Sequence, residues 1–114
     1  MLPMTKRLTF VLLALALALV VSGSTLWAAD AAAGKAVYAS KCQTCHGADG
    51  TGNPGLGKAL GVTWKPLGGS DVQGMSDDDL KKVISGGKGK MKPVASVTGA
   101  DLDNVVAFVR TLKK

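Results

Sequence analysis

Thiols and imidazole are scarce in this 114-residue chain, which holds two cysteines and one histidine, and aromatic residues make up only 4% of it. Each shortage excludes something. A structural zinc site wants four ligands, usually Cys and His, and three crowded into one short segment do not comfortably encircle a tetrahedral ion. A dithiol redox motif is expected beside a βαβ pattern, and no such succession of β-branched runs is present. Nucleic-acid binding would want aromatics interleaved with the basic residues, and the lysine-rich stretch from Lys88 to Lys92 has none. No cysteine closely follows the apolar run near the N-terminus, which argues against a lipid-anchored mature terminus.

That N-terminal run has the order of an export signal. Lys6 and Arg7 precede Leu8 to Val21, which is uncharged and apolar, and small residues follow at Ser22-Gly23-Ser24 and from Ala28 to Ala33. The expected division is a secretory leader over 1–29, cut somewhere within 24–33, and one domain over 30–114. The rival is an uncleaved membrane anchor, with Trp27 at the interface. The remaining domain of roughly 85 residues is small enough that such chains often need a metal or a cross-link to hold them folded. From Asp30 onward twelve basic residues face eight acidic ones, a net charge near +4; the whole-chain value of +6 includes Lys6 and Arg7.

Both cysteines and the histidine fall in one pentapeptide, Cys42-Gln43-Thr44-Cys45-His46. Cys-x-x-Cys-His is the attachment signature of c-type haem. Two thiols at this spacing can each form a thioether with one vinyl group of the porphyrin, and His46 follows as a nitrogen ligand closing one face of the iron. A plain disulfide between Cys42 and Cys45 is the bland alternative, and it leaves His46 unexplained.

The rest reads as helices separated by glycine-rich loops. A first helix is expected over about 31–41, with Gly34, Val37 and Tyr38 on one side. A second begins after Ser76, with Asp79 completing a capping box, and ends at Gly86-Gly87; Leu80, Val83 and Ile84 form its buried stripe. The last starts at Thr98, with Asp101 in the matching box position, and runs to about Lys113, repeating Leu102, Val105, Val106, Val109 and Leu112, with Phe108 widening the face. Between His46 and Ser76 lies a long loop, interrupted by a short turn near 56–60. A structureless stretch of that length is unusual in a compact domain unless it wraps something, and its glycines would let backbone lie close to a flat cofactor.

On these residues the chain resembles the class I, mitochondrial-type bacterial cytochromes c, small monohaem electron carriers. The resemblance covers essentially everything after the leader. Gly34 and Tyr38 match the family's glycine and aromatic on the N-terminal helix, and Val105 and Phe108 match the positions where the C-terminal helix crosses them. The resemblance implies an all-α cytochrome c fold of three main helices and glycine-rich loops around one haem c attached through Cys42 and Cys45. It makes Met91 the second axial ligand beside His46, with Lys92 standing between Met91 and the proline that often follows directly. It also makes the Pro54 carbonyl the acceptor for the His46 ring hydrogen. Trp64 either donates its indole hydrogen to a haem propionate or fills the pocket wall, and Thr63 and Lys65 lie within reach of the same group. Met75 competes with Met91, but it directly precedes Ser76 and so falls on the wrong side of the second helix, where it reads as a gap-filling core residue.

Lys88, Lys90 and Lys92 flank Met91, with Lys81 and Lys82 nearby, and would form a positive rim attractive to an acidic redox partner. The function expected is one-electron transfer by a monomeric periplasmic carrier, not an enzyme, touching a membrane only if the leader is retained. The alternatives are a five-coordinate haem sensor or peroxidase, and an electron-transfer subunit of a larger oxidoreductase.

Overall fold

The computed structural model describes residues 28–114, so the leader read over 1–29 lies almost wholly outside the described residues. Six helices occur among them: α1 (Ala31–Lys41), α2 (Gln43–His46), α3 (Pro54–Leu60), α4 (Ser70–Gln73), α5 (Asp77–Gly86) and α6 (Gly99–Thr111). Among the described residues there is no strand, only an isolated bridge between Lys88 and Met91, and no helix is long and apolar enough to cross a membrane. The all-α expectation holds.

Helix α1 forms because alanine has the best helix propensity and Asp30 caps it: its Oδ1 accepts from the N–H groups of Ala32 at 2.9 Å and Ala33 at 3.1 Å. The backbone N–H of Asp30 also donates to Asn104 Oδ1 at 2.8 Å, tying the start of the domain to α6. The two helices cross at Gly34, where a Cβ would stand 1.9 Å from the carbonyl oxygen of Asn104. Four residues on, Tyr38 packs on Phe108 with ring centroids 4.9 Å apart and a 51° tilt. Tyr38, Val97, Val105 and Phe108 make the buried core.

Helix α5 is capped as its sequence implies, with Ser76 Oγ accepting from Asp79 N–H at 3.1 Å. Of its apolar stripe Leu80 is buried, whereas Val83 and Ile84 are half-buried because they face a cavity. Helix α6 departs from expectation at its start: Thr98 makes no side-chain cap bond. Gly99 enters the helix with φ +56°, and this left-handed residue takes the following N–H groups out of line with the Thr98 hydroxyl.

The stretch expected as a loop is more ordered than its glycines suggest. Asn53 Oδ1 accepts from the N–H groups of Gly55 at 3.0 Å and Leu56 at 3.3 Å, and Pro54 takes the first helical position, so α3 starts earlier than the turn read near 56. Gly52 holds φ +95°, and a Cβ there would stand 2.1 Å from Trp64 Cγ; glycine at this point makes room for an indole.

Gly34→Ala should destabilise the protein by about 1–3 kcal/mol, since an inserted methyl meets main chain that cannot turn aside. Thermal unfolding checks this; at about 4–8 °C per kcal/mol for a domain of this size, a melting temperature equal to that of wild type would show that the helices do not cross there.

Candidate functional site

A mostly apolar cavity of about 340 Å3 gathers residues from almost every element. Cys42 and His46 enter it from the haem-attachment motif, Trp64, Val72 and Met75 from the middle segment, Leu80, Val83 and Ile84 from α5, and Val105, Val106 and Val109 from α6. Met91 reaches it from the connection between α5 and α6.

The motif is held rigidly because its carbonyls are used from several sides. The chain breaks helical geometry at Cys42 (φ −122°, ψ −34°) and resumes it as α2, with His46 N–H donating to the Cys42 carbonyl at 3.0 Å. Gly52 N–H donates to the His46 carbonyl at 2.7 Å and Asn53 N–H to the Cys45 carbonyl at 2.8 Å. Tyr38 donates its hydroxyl to the Gly47 carbonyl. Burial, then the charges of Cys42 and Asp49, push the Tyr38 phenol up to about 12, so it stays a donor across the physiological range. The interior thus fixes the residue after His46 through a side chain of the core.

Cys42 is half-buried, Cys45 is exposed, and both are free thiols. Burial, followed by the neighbouring Cys45, pushes the Cys42 thiol above its ordinary value. Burial lowers the His46 pKa, which keeps the imidazole neutral near pH 7 with a lone pair to offer. Its Nδ1 is buried without a hydrogen-bond partner, an arrangement that costs about 1–3 kcal/mol unless something takes that group. The Trp64 ring stands edge-on to it, centroids 5.6 Å apart.

Met91 sits at the end of a tight hairpin rather than on an irregular loop. Lys88 and Met91 exchange both backbone hydrogen bonds at 2.9 Å, and Gly89 at the first central position has φ +57°, as a two-residue hairpin of this kind favours. The sulfur is therefore presented from a defined backbone, half-buried at the cavity.

The structure bears on three of the expected residues. The bond from His46 to the Pro54 carbonyl is not formed: Pro54 opens α3, where carbonyls point along the helix axis toward later N–H groups. The Trp64 indole N–H is already taken, donating to the Asn53 carbonyl at 2.7 Å, so Trp64 is a wall residue and not a free donor for a propionate. Met75, which precedes the second helix and reads in the sequence as a gap-filling core residue, lines the same cavity as Met91, because α4 turns the chain back just before it. Of the two remaining polar candidates, Lys65 lines the cavity beside Asp71, its nitrogen 3.7 Å from a carboxylate oxygen in an exposed pair, and Thr63 does not.

The residues present fit a covalently held haem. Two free thiols stand at the attachment spacing, the His46 imidazole and the Met91 thioether share one cavity, and most of its other lining is apolar.

Comparison with known proteins agrees with that fit. Residues 29–109 match the family described as cytochrome c oxidase, cbb3-type, subunit III. The chain is 37% identical over 91 residues to cytochrome c-554(547) of Halothiobacillus neapolitanus, covering 75% of this chain and 100% of that one. It is 40% identical over 98 residues to cytochrome c-555 of Chlorobaculum tepidum, covering 81% and 84%. It is also 33% identical over 84 residues to the cbb3-type cytochrome c oxidase subunit CcoP of Rubrivivax gelatinosus, of which it spans only 25%. Among solved structures it resembles the KustC0563 c-type cytochrome with a TM-score of 0.59 and 30% identity, over 71% of this chain and 98% of that one. With the family match running through the attachment motif to the last helix, and with small cytochromes c covered along most or all of their length, the chain belongs to the cytochrome c family, whose prosthetic group is haem c.

Proposed function

We propose that this protein is an exported, periplasmic one-electron carrier of the class I type, with haem c held by Cys42 and Cys45 and axial positions filled by His46 and Met91. The observation that carries this reading is that Cys42 and His46 of the Cys-x-x-Cys-His motif and Met91, on its two-bond hairpin, line one mostly apolar cavity. Bound haem supplies a one-electron iron couple. The chain's own residues do the rest. His46 offers a neutral nitrogen, kept so by burial. Met91 offers a soft, uncharged sulfur, which favours the ferrous state and raises the potential. Trp64 and the valines of α6 exclude water. With both ligands in place no position is left for oxygen or peroxide, which is why substrate chemistry is not part of the proposal.

A second reading has its own support: the matched family carries the name of an oxidase subunit, and one relative is the much longer CcoP. On that reading the protein passes electrons within a larger assembly. Purification from its native source at moderate salt separates the two, since a carrier elutes alone and a subunit brings an oxidase with it.

The visible spectrum of the haem-loaded protein should be low-spin c-type, with the weak far-red ferric band of methionine ligation, and carbon monoxide should leave the ferrous form unaltered. High-spin features or a carbon monoxide shift in the wild type would replace the carrier with a sensor or peroxidase. Met91→Ala should abolish the far-red band and admit carbon monoxide, whereas Met75→Ala should keep both wild-type properties; the reverse would exchange the roles of the two methionines.

Lys88, Lys90 and Lys92 are exposed around the hairpin and are proposed to steer an acidic partner toward it. Reversing all three to Glu should slow association with the redox partner at low salt and flatten its salt dependence. An unchanged stopped-flow rate would end the docking idea.

A further inference from the structure

Arg110, half-buried one turn after Val106 on α6, makes more contacts than an ion pair requires. Its Nη1 donates to the Gln73 carbonyl at 2.9 Å and its Nη2 to the Met75 carbonyl. Nη2 and Nε both reach Asp77 Oδ1, at 2.8 and 3.0 Å. The first two acceptors are carbonyls at and just after the end of α4, groups that a short helix leaves without intrahelical partners. Gln73 adds a second pin, its Nε2 donating to the carbonyls of Leu67 at 2.8 Å and Val109 at 3.0 Å. Val72 and Met75, on either side of Gln73, line the cavity. The ion pair alone would be worth little, because the Asp77 side chain is 63% exposed. What distinguishes the arrangement is a planar fork gripping two main-chain oxygens, which lysine cannot reproduce.

We infer that Arg110 is a positioning residue for the haem pocket: it holds the wall formed by Val72 and Met75 closed from behind, and by excluding water it helps set the reduction potential. The inference rests on the electron-carrier reading. A looser wall admits water, water stabilises the ferric charge, and the potential falls. Loss of a positive charge from the protein would lower the potential as well, so charge and wall must be separated by the choice of variant.

The experiment is redox titration of the holoprotein together with the rate at which imidazole binds its ferric form, for wild type, Arg110→Lys, Gln73→Leu and Lys113→Met. Arg110→Lys keeps the charge and loses the fork; it should lower the potential and speed imidazole binding. Gln73→Leu removes the second pin without touching charge and should shift both quantities in the same direction. Lys113→Met removes one exposed charge near the end of the chain and should leave both near wild type. If Arg110→Lys and Gln73→Leu lower only the melting temperature, the residue is a structural brace and the inference fails. It fails equally if Arg110→Lys matches wild type in both readouts. A wild-type protein without a low-spin spectrum would instead overturn the carrier reading, and this inference with it; a low-spin wild type with unmoved variants overturns the inference alone.

Discussion

The contact on which the rest of the structure depends is the close crossing of α1 and α6 at Gly34. Absence of a side chain lets the α6 main chain at Asn104 lie where a Cβ would be. Only at that separation does Tyr38 stack on Phe108 and still reach the Gly47 carbonyl with its hydroxyl. Because Cys42 directly follows α1 and His46 ends α2, the crossing orients the attachment motif with respect to the valines of α6. A helix pair buried for stability thereby becomes the frame of the haem site.

The walls from the middle segment stand on a loop at Trp64 and on and just after the one-turn α4, and each is fixed by a polar contact to main chain. Trp64 is anchored through its indole to Asn53, whose side chain simultaneously caps α3, so one asparagine sets both the helix and the indole facing His46. Arg110 and Gln73 do the corresponding work for Val72 and Met75. In a domain with so small a core, long apolar contacts are scarce, and side-chain bonds to otherwise unpaired carbonyls are an economical way to shape an apolar cavity. The same limit makes haem c useful to such a fold, since it would supply the apolar packing surface that a small core lacks.

The main helices were legible because their signals are local. Ser76 announces its cap, apolar spacing announces the faces, and the Cys-x-x-Cys-His motif announces the chemistry in five residues, whereas the Asp30 cap shows only in the structure. Short helices were not legible: four residues at 43–46 or 70–73 complete barely one turn, and no period can be measured over one turn. Long-range contacts were equally hidden. Nothing in the sequence says that Gly52 makes room for Trp64, that Trp64 spends its donor on Asn53, or that α4 turns the chain so that Met75 meets the cavity. The capping signal at Thr98 misled for a related reason, since a threonine followed three residues later by an aspartate carries no information about the left-handed Gly99 between them.

Charge is distributed along α5 in a way that bears on how a partner would approach. Asp77, Asp78 and Asp79 lie in its first turn, and Lys88, Lys90 and Lys92 follow its C-terminal end, about 15 Å away along a ten-residue helix. Both placements complement the helix dipole. Two ion pairs modify the pattern: Arg110 offsets the charge of Asp77, leaving Asp78 and Asp79 at that end, and Lys81 is drawn to Asp103 on α6, its pKa raised first by that hydrogen bond. Lys81 is thus committed to packing α5 against α6 and drops out of the rim read from sequence. Of the other rim lysines, Lys82 is exposed on α5 and Lys88, Lys90 and Lys92 are exposed around the hairpin that carries Met91, so any attraction these last three exert is centred on that hairpin. A field of that shape orients an approaching acidic surface as well as attracting it, because the carboxylates at the far end of α5 repel what the hairpin draws in.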